Sequence, residues 1–128
     1  MNGKVKVLVV ENEMPVVMMV VSLLTRIGFD VQVATKARKG LKIAQEQKFD
    51  LILLDATLPG ISSNEIFGDL RQRHISYRTP IIFLSDQHGE EYRAHALELG
   101  AADFIEKPFG AEDFISRILS AVEETTLA

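Results

Sequence analysis

Four separate stretches of the chain end in side chains that could do chemistry together. Glu11, Asn12 and Glu13 follow the apolar run VKVLVV. Asp55 ends FDLILLD, Ser85 ends PIIFLS, and Lys107-Pro108 follows ADFIE. Gathered at one point, these residues supply carboxylates, an amide, a hydroxyl and an ammonium. Carboxylates at that density repel one another unless a hard dication sits among them, and Mg2+ prefers oxygen ligands. A lysine and a hydroxyl do not complete a metal cage. They suit a three-oxygen anion placed on one carboxylate, with the metal taking one oxygen and Lys107 and Ser85 the others. That is a layout for phosphoryl transfer with Asp55 as the nucleophile.

Such a meeting requires elements that end side by side. Residues 4–10, Phe49 to Leu54 and Pro80 to Leu84 are β-branched or apolar runs without a polar face, as buried strands are. Phe29 to Ala34 alternates as a shorter strand, and Ala102 to Ile105 makes a fifth. Between them lie helical stretches. The first opens near Pro15, which suits an initial helical turn, and is closed by Gly28. The others span Lys36 to Gln47, Ser63 to Arg73, His88 to Leu99 (stopped by Gly100), and Ala111 to about Glu124. Expected inward residues are Leu41, Ile43 and Ala44; Ile66, Phe67 and Leu70; and Phe114, Ile115, Ile118, Leu119 and Val122. Strand and helix thus alternate five times. Strands apolar on both faces need helices on both sides, which calls for a doubly wound α/β fold with a parallel sheet and right-handed crossovers. In such sheets chemistry gathers at the carboxyl ends of the strands, near the reversal of strand order.

Composition narrows the function. The 128 residues make one domain, 1–128, large enough to bury a core unaided. There is no cysteine, so neither disulfides nor thiolate metal sites contribute, which fits a cytoplasmic protein. A net charge of −4 argues against nucleic acid as a direct ligand. No signal-peptide core follows the first residues. The apolar stretch from Met14 to Leu24 is shorter than the ~20 residues a bilayer demands, so it is read as a helix against a core, with no membrane partner.

In order and at these spacings, VKVLVVENE, DLILLDATLPG, PIIFLS and GAADFIEKPF resemble the receiver domain of two-component response regulators. The resemblance covers essentially the whole chain. It implies a flavodoxin-like sheet of order 2-1-3-4-5 flanked by five helices. It implies that Asp55 accepts a phosphoryl group from a histidine kinase or phosphotransfer protein, a self-catalysed transfer and hydrolysis rather than conventional enzyme turnover. Mg2+ would be held by Glu11, Asn12, Asp55 and the backbone carbonyl of Thr57. Lys107, turned inward by a cis bond to Pro108, would pair with the phosphoryl group. Ser85 would swing in to bond it, and Phe104 would be the switch aromatic, mostly buried because it lacks a hydroxyl. No output domain accompanies these residues, so no DNA-binding or enzymatic output is assigned. Aspartate-nucleophile phosphatases are set aside because Thr57 stands where they need a second acid.

The sequence departs from the family pattern in three places. Asn12 stands where a second acid is usual, leaving Glu11 and Asp55 as the charged ligands, so Mg2+ affinity is expected to fall about tenfold, or ~1.4 kcal/mol. Asp86 follows Ser85 where a small residue is usual, and would oppose an incoming anion if it pointed inward. These departures define an alternative reading, a phosphorylation-independent interaction module. Ser62-Ser63 replaces a frequent Asp-Gly pair, with Ser as a competent cap for the third helix.

Two surfaces are candidates for partners. On the first helix Val17, Val20, Val21 and Leu24 fall at core spacing, which leaves Val16, Met19 and Leu23 as a second stripe beside Met18. Either neighbouring loops and the last helix cover that stripe or it is a partner surface; in the family the resemblance implies, the phosphodonor docks on the first helix. On the fourth helix, fifth strand and fifth helix, Arg93, Asp103, Asp113 and Arg117 match part of a charge pattern that joins two receivers in one branch of the family, so a homodimer is a second expectation. His74, His88 and His95 form no recognisable metal set, and Glu112 and Asp113 read as partners of a helix dipole.

Overall fold

Five parallel strands lie in the order β2-β1-β3-β4-β5. They are β1 (Lys6–Val10), β2 (Asp30–Ala34), β3 (Leu51–Asp55), β4 (Ile81–Ser85) and β5 (Asp103–Glu106). The helices between them are α1 (Met14–Arg26), α2 (Ala37–Glu46), α3 (Ser63–Gln72), α4 (Glu90–Leu99) and α5 (Ala111–Leu127). These come from a computed structural model, which describes residues 3–60, 62–72 and 79–127. His74, Arg73 and the side chain of Ser63, read in the sequence as surface or helix-end groups, lie outside the described residues.

Alternate residues of each strand feed opposite layers, as period two requires. Leu8, Val10, Ile52, Leu54, Ile81, Phe83 and Phe104 meet α2, α3 and α4 through Ile43, Ala44, Ile66, Phe67, Leu70 and Ala96. Val7, Val9, Leu51, Leu53, Ile82, Leu84 and Ile105 meet α1 and α5 through Val20, Leu24, Phe114, Ile118 and Ala121. Each fully buried Leu, Ile or Phe contributes roughly 2–3 kcal/mol by leaving water. Two core positions differ from the sequence expectation. Val21 is only half-buried, and Leu119 is exposed, because the α1 stripe centres on Val17, Val20 and Leu24 and the α5 stripe on Phe114, Ile118 and Ala121.

The helix ends follow their residues. After α1, Gly28 at φ 89° lets its N–H reach Thr25 O while Phe29 N–H reaches Leu24 O, the paired bonds of a Schellman close. Ser62 caps α3: its Oγ accepts the Glu65 N–H at 3.1 Å. Helix α4 starts at Glu90, two residues later than its sequence suggests, because Gly89 at φ 120° forms the turn before it.

Register brings the strand ends level. Val10 pairs with Leu54, Asp55 with Leu84, and Ser85 with Glu106. The chain passes β1 on opposite sides on its way to β2 and β3, so the switch in strand order lies at the ends of β1 and β3. Glu11 and Asp55 stand there.

Candidate functional site: an acidic cluster around Lys107

Glu11 follows β1 directly. Its N–H donates to Ala34 O at 3.0 Å, so the residue continues the strand pairing by one step and its side chain is fully buried. Its Oε2 accepts the backbone N–H groups of Asn12 and Glu13 at 3.1 and 3.0 Å, which folds the loop around the carboxylate. Asn12 is exposed. Glu13 turns back towards the site.

Asp55 ends β3 and is buried. Its Oδ1 accepts from the Thr57 N–H at 2.8 Å and the Thr57 hydroxyl at 3.0 Å, leaving Oδ2 to face Lys107 Nζ at 3.4 Å. Lys107 arrives from the far side of the sheet. Its N–H donates to Ser85 O at 2.7 Å, its peptide bond to Pro108 is cis, and its side chain is buried. The ammonium lies 2.8 Å from Glu11 Oε1, 2.7 Å from Glu13 Oε1 and 4.0 Å from Asp86 Oδ2.

The electrostatics follow from this crowding. Burial pushes the Glu11 carboxyl above the usual range, with Lys107 and the Glu13 N–H pulling the other way. Burial also opposes the Lys107 charge, yet hydrogen bonding to Glu11 and Glu13 and the charge of Asp55 hold its pKa above the ordinary lysine value. Lys107 in turn lowers the pKa of Glu13. Three carboxylates thus share one ammonium. Glu11 Oε1 sits at ion-pair distance from Lys107 but has no aligned hydrogen-bond donor, an orphaned buried oxygen. Oxygens of Glu11, Glu13 and Asp55 fall within 4.8 Å of one another. An orphaned oxygen among hard, anionic donors fits a dication of the Mg2+ kind.

Ser85 ends β4 with a buried side chain. Its hydroxyl donates to Gln87 O at 3.0 Å and accepts the Gln87 N–H at 2.9 Å, so it serves its own loop. Phe104 is buried, as expected, with the Arg93 guanidinium 5.9 Å from its ring centre. Asp86 turns to solvent, its side chain 55% exposed. The four charged residues of the α4–β5–α5 face pair within the chain: Arg93 with Asp103 at 3.2 Å, Arg117 with Asp103 at 2.8 Å and with Asp113 at 3.0 Å. On α1, Val16 and Leu23 pack against the core and Met19 is half-buried, while Met14 and Met18 stand exposed.

Sequence reasoning put Glu13 in the strand-end cluster but named it neither as a ligand nor as a partner of Lys107; the signal for that contact was strand-like alternation carried past β1, which returns Glu13 to the side of Glu11. It gave His88 no role at all. The Nε2 of His88 lies 2.6 Å from the Lys107 carbonyl, which only accepts, so Nε2 carries the hydrogen. Nothing in its sequence surroundings foretold that contact.

A parallel sheet of this order, with an acid pair at the switch point and a lysine across from it, defines a receiver-type α/β domain. A family model described as the response regulator receiver domain matches residues 7–119. The chain belongs to that family, the receivers of two-component systems. It is similar to the alkaline phosphatase synthesis transcriptional regulatory protein PhoP of Bacillus subtilis, 34% identical over 123 residues, 96% of this chain and 50% of that protein. It is 32% identical to the phosphate regulon transcriptional regulatory protein PhoB of Pseudomonas aeruginosa, over 98% of this chain and 54% of that one. The chain therefore spans about half the length of these curated relatives. Among solved structures, the chemotaxis response regulator CheY4 of Vibrio cholerae superposes with a TM-score of 0.86 at 27% identity, covering 93% of this chain and 99% of that one. The receiver domain of a Luxo repressor protein from Vibrio parahaemolyticus shares the fold at a TM-score of 0.90 and 22% identity, over 98% and 95% of the two chains. No helix among the described residues is long and apolar enough to cross a membrane.

Proposed function

We propose that this receiver domain takes a phosphoryl group onto Asp55 from a phosphohistidine donor and changes partner binding as a result. The observation that carries the reading is the buried Asp55 carboxylate with Oδ2 3.4 Å from the buried Lys107 ammonium, beside a second buried carboxylate. In the transfer a carboxylate oxygen of Asp55 forms a bond to phosphorus while the bond from phosphorus to the donor imidazole breaks. The electron pair returns to the imidazole nitrogen, and the product is an acyl phosphate. Lys107 neutralises the phosphoryl oxygens it faces, and the Thr57 N–H and hydroxyl orient Asp55. Glu11 and Asp55, with the Thr57 carbonyl and with Asn12 once its exposed amide turns inward, would hold Mg2+, which when bound supplies positive charge against the charge that develops in transfer.

The switch follows from the Ser85 bonds. To reach a phosphoryl oxygen, its hydroxyl must leave Gln87 O, which frees the loop before α4. Phe104, buried under the same face, would respond, shifting a pre-existing equilibrium there. The donor would dock on α1 through Val16, Met19 and Leu23. A second copy could join through Arg93, Asp103, Asp113 and Arg117 only by exchanging their present intramolecular pairs. Acetyl phosphate with Mg2+, read by intact mass, tests the proposal. An adduct on the wild type that disappears in Asp55→Asn supports it; no adduct under any condition leaves the interaction-module reading in its place.

A further inference from the structure

Glu13 occupies the N-cap of α1, where a short polar side chain ordinarily accepts a hydrogen bond from the helix. Its carboxylate makes no such bond. It reaches across the mouth of the site to Lys107 Nζ at 2.7 Å. Asp86 flanks it, 4.0 Å from the same ammonium. Unlike Glu11 and Asp55, both are open to water, Glu13 at 46% and Asp86 at 55% exposure. They can turn into solvent at little desolvation cost, which the buried pair cannot.

We infer that Glu13 and Asp86 form a displaceable acidic gate over Lys107 that selects phosphoryl donors by their charge. The inference rests on Asp55 being the phosphoacceptor. An ammonium has three donors; Lys107 gives one to Glu13 and one to Asp55, and Glu11 Oε1 crowds the remaining side at 2.8 Å without an aligned bond. An incoming phosphoryl oxygen must therefore displace one partner, and Glu13 is the exposed one. Until it moves, the rim presents negative charge to whatever approaches. A small dianion meets twice the repulsion of a monoanion at the same distance. A donor held by a docked protein surface is brought past the rim by contacts elsewhere.

The test compares wild type, Glu13→Gln, Asp86→Asn and the double variant at saturating Mg2+. Acetyl phosphate, a dianion near neutral pH, and phosphoramidate, a monoanion, serve as donors, with adduct formation followed by intact mass. Removing both charges is expected to speed the acetyl phosphate reaction roughly three- to tenfold at low salt, with a smaller gain for phosphoramidate. High salt should erase the difference. A donor ratio that stays constant across the variants overturns the gate while leaving Asp55 as the acceptor. An equal fall with both donors also overturns it, assigning Glu13 to the positioning of Lys107. Absence of adduct in wild type and variants alike overturns the gate and the phosphoacceptor reading together.

Discussion

Lys107 Nζ lies 2.8 Å from Glu11 Oε1, and both side chains are buried. The ammonium is thus what makes two buried carboxylates tolerable, since Asp55 faces it as well. Removing one partner of a buried ion pair strands the other charge in a poor solvent.

Lys107→Met is therefore expected to destabilise the fold by about 3 kcal/mol when divalent cations are chelated. Millimolar Mg2+ should recover part of the loss. Urea unfolding in chelator and in Mg2+ measures both, and a loss of the same size in each would contradict the account. The wild-type advantage also has a pH limit. The Lys107 pKa is raised above 10.5, so its stabilisation is complete below 10.5 and is lost as the pH climbs through the higher folded value. The difference between the two proteins should stay level from neutrality to that point and shrink beyond it.

Glu11 has the opposite sign for an acid in a stabilising pair. Burial raises its pKa above 4.5, so protonation favours the folded state. That contribution is complete below 4.5 and is lost as the pH rises through the folded value. Glu11→Gln imitates the protonated form. In chelator it should match or exceed wild-type stability at neutral pH, and the two should converge below pH 4.5. The same substitution should abolish most of the thermal shift that Mg2+ gives the wild type. A variant less stable than wild type at neutral pH, yet still stabilised by Mg2+, would show that Glu11 serves as a structural pair instead.

Much of this arrangement was legible before any coordinates. Strands such as Leu51–Asp55 carry no polar residue before their last position, and that pattern has no stable place except between two helical layers. The polar ends of β1, β3 and β4 and the lysine after β5 then had one place to meet. What stayed hidden depended on paths rather than types. Glu11, Asn12 and Glu13 all carry side-chain oxygens, and only the extension of strand pairing through the Glu11 N–H to Ala34 O decides which of them turn inward. The same holds on α1, where Met18 is 67% exposed and Met19 is half-buried although they are sequence neighbours of the same type. Asp86 could not be oriented from its neighbours either; its side chain faces solvent beside Glu13.

Gly40 illustrates a close approach that periodicity does not reveal. A Cβ there would fall 2.7 Å from Val10 Cγ2 and 2.8 Å from Cγ1, so α2 crosses β1 at a point with no room for a methyl group. Gly40→Ala gains helix propensity but overpacks, and a net loss of about 1–2 kcal/mol is expected. Pairing it with Val10→Ala should return part of that loss, since each change makes room for the other. Chemical denaturation of the two single variants and the double closes the cycle. Strict additivity would show that the helix simply shifts away.

Partner docking gives the last prediction. Met19 is half-buried on α1, between the core stripe of Val17, Val20 and Leu24 and the exposed Met14 and Met18. Exposed apolar surface on a helix with a packed opposite face marks a contact, and methionine adapts to the shape it meets. Met19→Lys places a charge in that surface, where its long stem can carry the ammonium to water, so the fold should lose less than about 1 kcal/mol. Transfer from a phosphohistidine protein should fall at least tenfold, while phosphorylation by acetyl phosphate, which needs no docking, should be unchanged. Equal rates from the protein donor in wild type and variant would move the docking surface away from α1. Equal losses with both donors would mean that the substitution had reached the Asp55 site through the fold instead.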